Sequence, residues 1–169
     1  MDTLIEVKNL TLKFKTDEGL ITAIEDVSFS LNRGEVMGLV GESGSGKSVT
    51  AKSLMNLNAM NAVYSPESNI TLHSTQEEID VLSLRKPADL KVVRGGAISM
   101  IFQEPMASFA PSITIGKQMI EQLQLHSDMS KQKAREISIE MLDRVGNLTL
   151  HEELINMLLN YQEVCVRER

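Results

Sequence analysis

Apolar and polar positions alternate only in part over Leu4 to Phe14, where Ile5, Val7, Leu10, Leu12 and Phe14 are apolar. Alternation with a period of two marks a half-buried strand, and its slip at Lys8-Asn9 predicts two short strands around that point. Thr16-Asp17-Glu18-Gly19 reads as a turn. Leu20 to Leu31 predicts a second strand pair, with Val27, Phe29 and Leu31 on one face. Asn32-Arg33-Gly34-Glu35 then turns the chain tightly into Val36-Met37-Gly38-Leu39-Val40, a continuous apolar run that predicts a short buried strand. Val49 to Leu57 predicts a helix with Val49, Leu54, Met55 and Leu57 as its apolar positions.

Residues 61–90 are polar and weakly patterned. Ile70-Thr71-Leu72 is a strand candidate there, and Ser65-Pro66 and Lys86-Pro87 interrupt. Ala97 to Phe102 predicts a further buried strand. From Ser112 onward the pattern becomes helical. One helix is expected over Ile115 to Leu125 and a better one over Ser130 to Val145, with Ala134, Ile137, Met141, Leu142 and Val145 lining one face. Gly146 is its stop signal, and Glu140 and Arg144 form an i,i+4 pair on the other face.

Composition narrows the class. A hydrophobic fraction of 42% and a charged fraction of 24% over 169 residues are those of a soluble globular chain. The net charge of −6 argues against a nucleic-acid-binding surface. No apolar run approaches the length of a membrane span. The acidic start Met1-Asp2-Thr3-Leu4-Ile5-Glu6 lacks the basic and apolar regions of a signal peptide. The single Cys165 leaves no internal disulfide and fits a reducing cytosol. The expected location is therefore cytoplasmic, with any membrane role passing through a partner. His73, His126 and His151 show no ligand spacing, and the ten methionines read as core filler. Lys131, Lys133 and Arg135 read as a solvated helix face.

Chemistry concentrates in Gly41-Glu42-Ser43-Gly44-Ser45-Gly46-Lys47-Ser48, which fits G-x-x-x-x-G-K-[ST], the phosphate-binding loop of P-loop nucleotidases. Gly41, Gly44 and Gly46 allow backbone conformations with φ > 0 and close approach to a ligand, so that successive N–H groups form an anion-binding nest. Lys47 places a compact positive charge where β- and γ-phosphates lie. The Ser48 hydroxyl is a hard oxygen suited to Mg²⁺. The apolar run before the loop and the helix after it supply the strand–loop–helix context the motif requires.

Three blocks together resemble the ATP-binding subunits of ABC transporters: Glu25 to Glu35, the loop in the form GESGSGKSVTAKSL, and Ile98-Ser99-Met100-Ile101-Phe102-Gln103-Glu104-Pro105-Met106. The loop and third block, followed by a Ser, a Pro and Thr-Ile-Gly, are similar to the oligopeptide and dipeptide importers. The resemblance runs from about Leu4 to Gly146. It implies an α/β P-loop NTPase fold, an incomplete ABC-type nucleotide-binding domain with an N-terminal antiparallel β part and the start of a helical subdomain. The expected divisions are 1–111 for the β part and loop core, 112–146 for the helical start, and 147–169 for a divergent tail. ATP and Mg²⁺ are the implied cofactors. Gln103 matches the family's Q-loop glutamine, which reaches Mg²⁺ and the attacking water. Phe14 stands where the family often has an aromatic that stacks on adenine, and a core aromatic at a strand end is the other reading. Glu104 does not match the catalytic base, which the family carries later.

The resemblance also implies integral-membrane permease subunits and a second ATPase subunit as partners, at the cytoplasmic face of the inner membrane. The transported substrate stays open among peptides, sugar oligomers and nickel. An LSGGQ-type segment, a strand ending in Asp-Glu and a switch histidine do not occur in this sequence. The expectation is therefore a form that binds ATP without hydrolysing it, with a non-functional remnant as the alternative. A soluble P-loop kinase or GTPase fits poorly, because the Gln103 block has no place there. The tail from Leu159 to Arg169 resembles nothing in the family. One allowed set of codons for it, read one step out of frame, gives Gln-Leu-Ser-Gly-Gly-Met-Arg-Gln-Arg-Ala, the importer form of the missing motif. A frameshift between Gly146 and Leu159 is the expected cause, and sequencing the locus decides it.

Overall fold

The computed structural model describes residues 2–74, 77–103 and 109–144. The chain forms two units, residues 1–98 and the part from Ser99 onward.

The first unit is organised by a long antiparallel hairpin, β1 (Thr3–Thr16) and β2 (Gly19–Asn32). Both strands are bent by bulges, where Asn9 and Asp26 take left-handed φ values of 49 and 48 degrees. Asn and Asp tolerate that region better than other residues with a Cβ. Hydroxyls on the facing strand satisfy the displaced amides. Asn9 N donates to Ser28 Oγ at 2.8 Å, and Asp26 N donates to Thr11 Oγ1 at 2.9 Å. The slip in alternation at Lys8-Asn9 thus has a different cause from the one expected. One strand carries an extra residue there, rather than two strands meeting.

The other edge of β1 is shared. β3 (Ala62–Tyr64) pairs with Leu12 to Phe14, and β4 (Asn69–His73) pairs with Ile5 to Lys8. Between them the Ser68 hydroxyl stands in for the ladder, accepting from Thr11 N at 2.9 Å and donating to the Asn9 carbonyl at 3.0 Å. β5 (Glu78–Asp80) adds to the far side of β4. A 3-10 turn (Val81–Ser83) and helix α2 (Pro87–Val93) follow, with Pro87 at the first helical positions, where its missing N–H costs nothing. Val7, Leu10, Leu12, Ile70, Val81 and Val93 are fully buried and form one core. Burial of each such side chain contributes about 1.5–3 kcal/mol.

Neither apolar run expected to be a buried strand becomes one. Val36 and Val40 are 97% and 90% exposed, and Ile101 is 96% exposed. No strand among the described residues lies beside either run. A strand exists through its ladder, and neither run has one: residues 36–40 stay exposed, while in the second run Ala97 and Ile98 are taken up by a turn instead and Ile98 packs against the core. The helix expected over Val49 to Leu57 is shorter, α1 (Lys47–Ser53), and gives way to a turn in which Asn56 has φ of 51 degrees.

In the second unit α3 (Ile115–Leu125) and α4 (Lys131–Arg144) pack on each other. Thr114 caps α3 by accepting from Lys117 N at 3.4 Å, and Ser130 Oγ accepts from Lys133 N at 3.2 Å. The buried face of α4 includes Ala134 as expected but departs from the expected face at Ser138 and Met141. Ala134 and Ser138 are buried while Met141 is exposed, and Gly116 of α3 is buried with Ile120. Small residues at a helix contact let the backbones approach closely, and an apolar pattern does not pick out Ser138 or Gly116. Val145, Gly146 and the tail with its proposed frameshift lie outside the described residues, as does Glu104.

Candidate functional site

The segment that leaves β2 turns at Asn32 to Glu35, where Glu35 Oε2 accepts from Asn32 N at 2.8 Å, and runs exposed through residues 36–40 into the glycine loop. α1 starts within the motif at Lys47, with Gly46 as its N-cap. Gly44 and Gly46 have φ of 83 and 86 degrees, the left-handed region that a Cβ makes costly. Gly46 is constrained twice, since a Cβ there would stand 2.7 Å from the Ala23 carbonyl oxygen of β2. The loop is therefore seated against the hairpin, and only glycine permits the seat.

Lys47 is folded back into the loop. Its Nζ donates to the carbonyls of Gly41 at 2.7 Å and Glu42 at 2.6 Å, with Ser45 Oγ at 3.3 Å. The ammonium is thus held by the loop's own oxygens. Ser45 N donates to the Glu42 carbonyl at 3.2 Å and closes the turn that contains Ser43. The Ser48 hydroxyl is exposed in the first turn of α1. The first N–H groups of any helix lack intrahelical partners and point toward an anion placed at its N-terminus. Left-handed glycines, a lysine and a free-facing serine hydroxyl form a donor set that fits phosphate oxygens and one hard cation. Among the described residues no group of three His, Cys, Asp or Glu comes together to hold a metal.

The aromatic candidate lies on β1, the strand paired with β2, on which the loop is seated. Phe14 pairs with Ile21 of β2 and with Ala62 of β3, and it is half-buried against the core. Ile21 lies two residues before Ala23, the seat of Gly46. β2 thus serves both the phosphate loop and Phe14, and both readings of Phe14 remain compatible with its packing. Gln103 is exposed at the start of the second unit. His73 pairs with Glu78 across the β4–β5 ladder, Nδ1 to Oε1 at 3.1 Å.

Two supports of α1 were not evident from sequence. Asn58 Nδ2 lies 2.8 Å from Ser53 Oγ, 2.9 Å from Tyr64 OH and 3.3 Å from the Val49 carbonyl, which ties the helix to β3. Ser53 is fully buried, so this network satisfies a hydroxyl that would otherwise be costly. Arg94 reaches the other side of the same helix end, donating from Nε to the Met55 carbonyl at 3.0 Å and from Nη2 to the Asn56 carbonyl. The available signals were weak: two asparagines past a helix, and the turn-forming triplet Arg94-Gly95-Gly96.

Comparison with known proteins places the sequence among relatives. Residues 24–160 match the family described as ABC transporter. The chain is 45% identical over 145 residues to the oligopeptide transport ATP-binding protein OppD of Haemophilus influenzae, covering 86% of this chain and 43% of that protein. It is 44% identical over 146 residues to the dipeptide transport ATP-binding protein DppD of Lactococcus lactis, covering 86% and 40%. With OppD of Bacillus subtilis it shares 40% identity over 166 residues, covering 98% of this chain and 45% of the relative. The chain thus spans less than half the length of these relatives.

Proposed function

The chain belongs to the ABC transporter family, whose nucleotide-binding domain binds ATP, and from that premise we propose that it carries the ATP-loading half of a peptide importer's energy-coupling subunit. The peptide assignment is supported by the names of its relatives, oligopeptide and dipeptide transport ATP-binding proteins. The observation that carries the reading is the loop itself: Lys47 folded back onto the Gly41 and Glu42 carbonyls, left-handed Gly44 and Gly46, and Gly46 seated on Ala23. In this reading Gly41 to Lys47 hold the phosphates, Ser48 contributes an oxygen to Mg²⁺, and Phe14 lies under the base. Gln103, in the second unit, matches the family's Q-loop glutamine by motif, and its amide is of a type that can serve a metal and a water. When bound, Mg²⁺ neutralises phosphate charge. In this reading these residues bind and orient a nucleotide.

The implied partners are membrane permease subunits and a second ATPase subunit, and the implied position is peripheral, on the cytoplasmic face of the membrane. Among the described residues no helix is long and apolar enough to cross a membrane. A second reading, a remnant that neither folds stably nor loads nucleotide, is favoured by the exposed apolar runs at 36–40 and 101–102. A thermal melt with and without Mg-ATP separates the two. A specific ligand at 100 times its Kd stabilises by about 2.7 kcal/mol, and the Lys47→Ala variant should lose that shift. A melting temperature that ignores Mg-ATP, in a chain with a cooperative transition, counts against nucleotide loading. No cooperative transition at all supports the remnant.

A further inference from the structure

We propose that Arg94 is a positioning residue that locks the far end of the phosphate-loop helix to the turn at residues 94–98, so that nucleotide loading at one end of α1 is felt at that turn. The inference rests on the nucleotide-binding reading above. α1 spans only Lys47 to Ser53, about two turns, and a helix that short does not hold itself in water. What happens at its N-terminal end therefore depends on what grips its C-terminal end.

The grip is specific. Past the helix, Met55 N and Leu57 N donate to the Lys52 carbonyl at 3.2 and 2.9 Å, and Asn56 N donates to the Ser53 carbonyl at 3.0 Å. This turn presents the Met55 and Asn56 carbonyls outward, and the half-buried Arg94 guanidinium takes both. A planar fork with several fixed donors suits two adjacent acceptors, and its charge opposes the negative end of the helix dipole. Asn56 adds a second tie, its Nδ2 donating to the Leu84 carbonyl at 3.1 Å.

Arg94 is itself fixed from behind. Its amide donates to the Leu90 carbonyl of α2 at 2.8 Å. Gly95 has φ of 76 degrees, and a Cβ on Gly96 would stand 2.5 Å from the Val92 carbonyl oxygen. These two glycines let the chain fold tightly over the end of α2. Ala97 N and Ile98 N then donate to Val92 and Val93 carbonyls at 3.0 and 2.9 Å, and Gly95 N donates to the Ile98 carbonyl at 2.8 Å. Val93 beneath them is fully buried. The guanidinium thus joins two rigid pieces of one unit: the α1 terminus and the 94–98 turn.

The test uses the full chain, Mg-ATP as the probe, and hydrogen exchange read on the peptide covering residues 94–98. In the unaltered chain Mg-ATP should slow exchange there by an ordinary coupling factor, roughly fivefold or more. Arg94→Ala should abolish that slowing while Kd for Mg-ATP, measured by calorimetry, weakens by less than the same factor. Arg94→Lys, which offers a single ammonium, should retain part of it. A purely structural role would instead speed exchange equally with and without nucleotide, leaving the ratio at its original value, and that result overturns the proposal. Exchange over residues 5–12 reports whether a variant is folded, and Arg94→Lys serves if Arg94→Ala is not. Failure of the unaltered chain to bind Mg-ATP removes the nucleotide reading and this inference with it. Binding without slowing at 94–98 removes this inference alone.

Discussion

Leu12 on β1 and Val40 before the phosphate loop are both apolar residues in extended segments, yet Leu12 is fully buried and Val40 is 90% exposed. The difference lies in their neighbours. β1 has β2 along one edge and β3 and β4 along the other, and Leu12 pairs with Ile24 and Tyr64 at once. Residues 36–40 have no strand beside them among the described residues. Hydrophobicity supplies the drive to leave water, but a ladder partner decides whether an extended segment can follow it. The hairpin region is thus a finished piece of structure, and the limb that delivers the phosphate loop is anchored only at its ends.

The contrast can be broken most strongly in the hairpin. Leu10→Ala empties a fully buried position where several strands meet, and should cost about 2–5 kcal/mol in a denaturant melt followed by circular dichroism. A smaller loss would mean that the core adapts and that the hairpin region is less finished than described. Next in size is the seat of the loop. Gly46→Ala combines a left-handed φ with a Cβ 2.7 Å from a backbone oxygen, whereas a Cβ on Gly44 meets open space. Gly44→Ala should therefore show only the conformational term, about 1–2 kcal/mol. Gly46→Ala should exceed it and weaken Mg-ATP binding more, by calorimetry. Equal effects would mean that the contact with Ala23 does not position the loop. The smallest effect belongs to the limb: Val40→Ser should leave stability within about 0.5 kcal/mol while reducing light scattering at high concentration, because an exposed apolar run favours association. A clear loss of stability would show that Val40 has a partner in solution.

How much was legible in the sequence follows the same division. The loop was readable residue by residue, because its glycines and lysine answer to local backbone and charge requirements. α3 was readable from Ile115 to Leu125, since its periodicity is long and its cap, Thr114, is adjacent. β3 and β5 were not, as each is three residues long and exists through its pairing with another strand. The Ser68 bridge to β1 and the Arg94 grip on α1 join residues far apart in sequence, and no local pattern announces either. The run at 36–40 misled for the opposite reason, because its composition states a preference that pairing did not satisfy.

The sharing of β1 between β2 and the later strands has a consequence for how the chain is made. β1 and β2 are adjacent in sequence and can close as a hairpin while synthesis continues, but β3 and β4 emerge only after the phosphate loop and α1. Until then one edge of β1 stands open, and Ile5 and Val7 wait for Leu72 and Ile70. The loop is thus born inside a long excursion whose two ends return to opposite ends of the same strand, Asn32 to Thr3 and Ala62 to Phe14. Closure of that excursion is a late, non-local event, and such events are the slow ones in folding. A ribosome-stalled series of lengths should find the hairpin protected early and the loop competent for nucleotide only once β4 has been released.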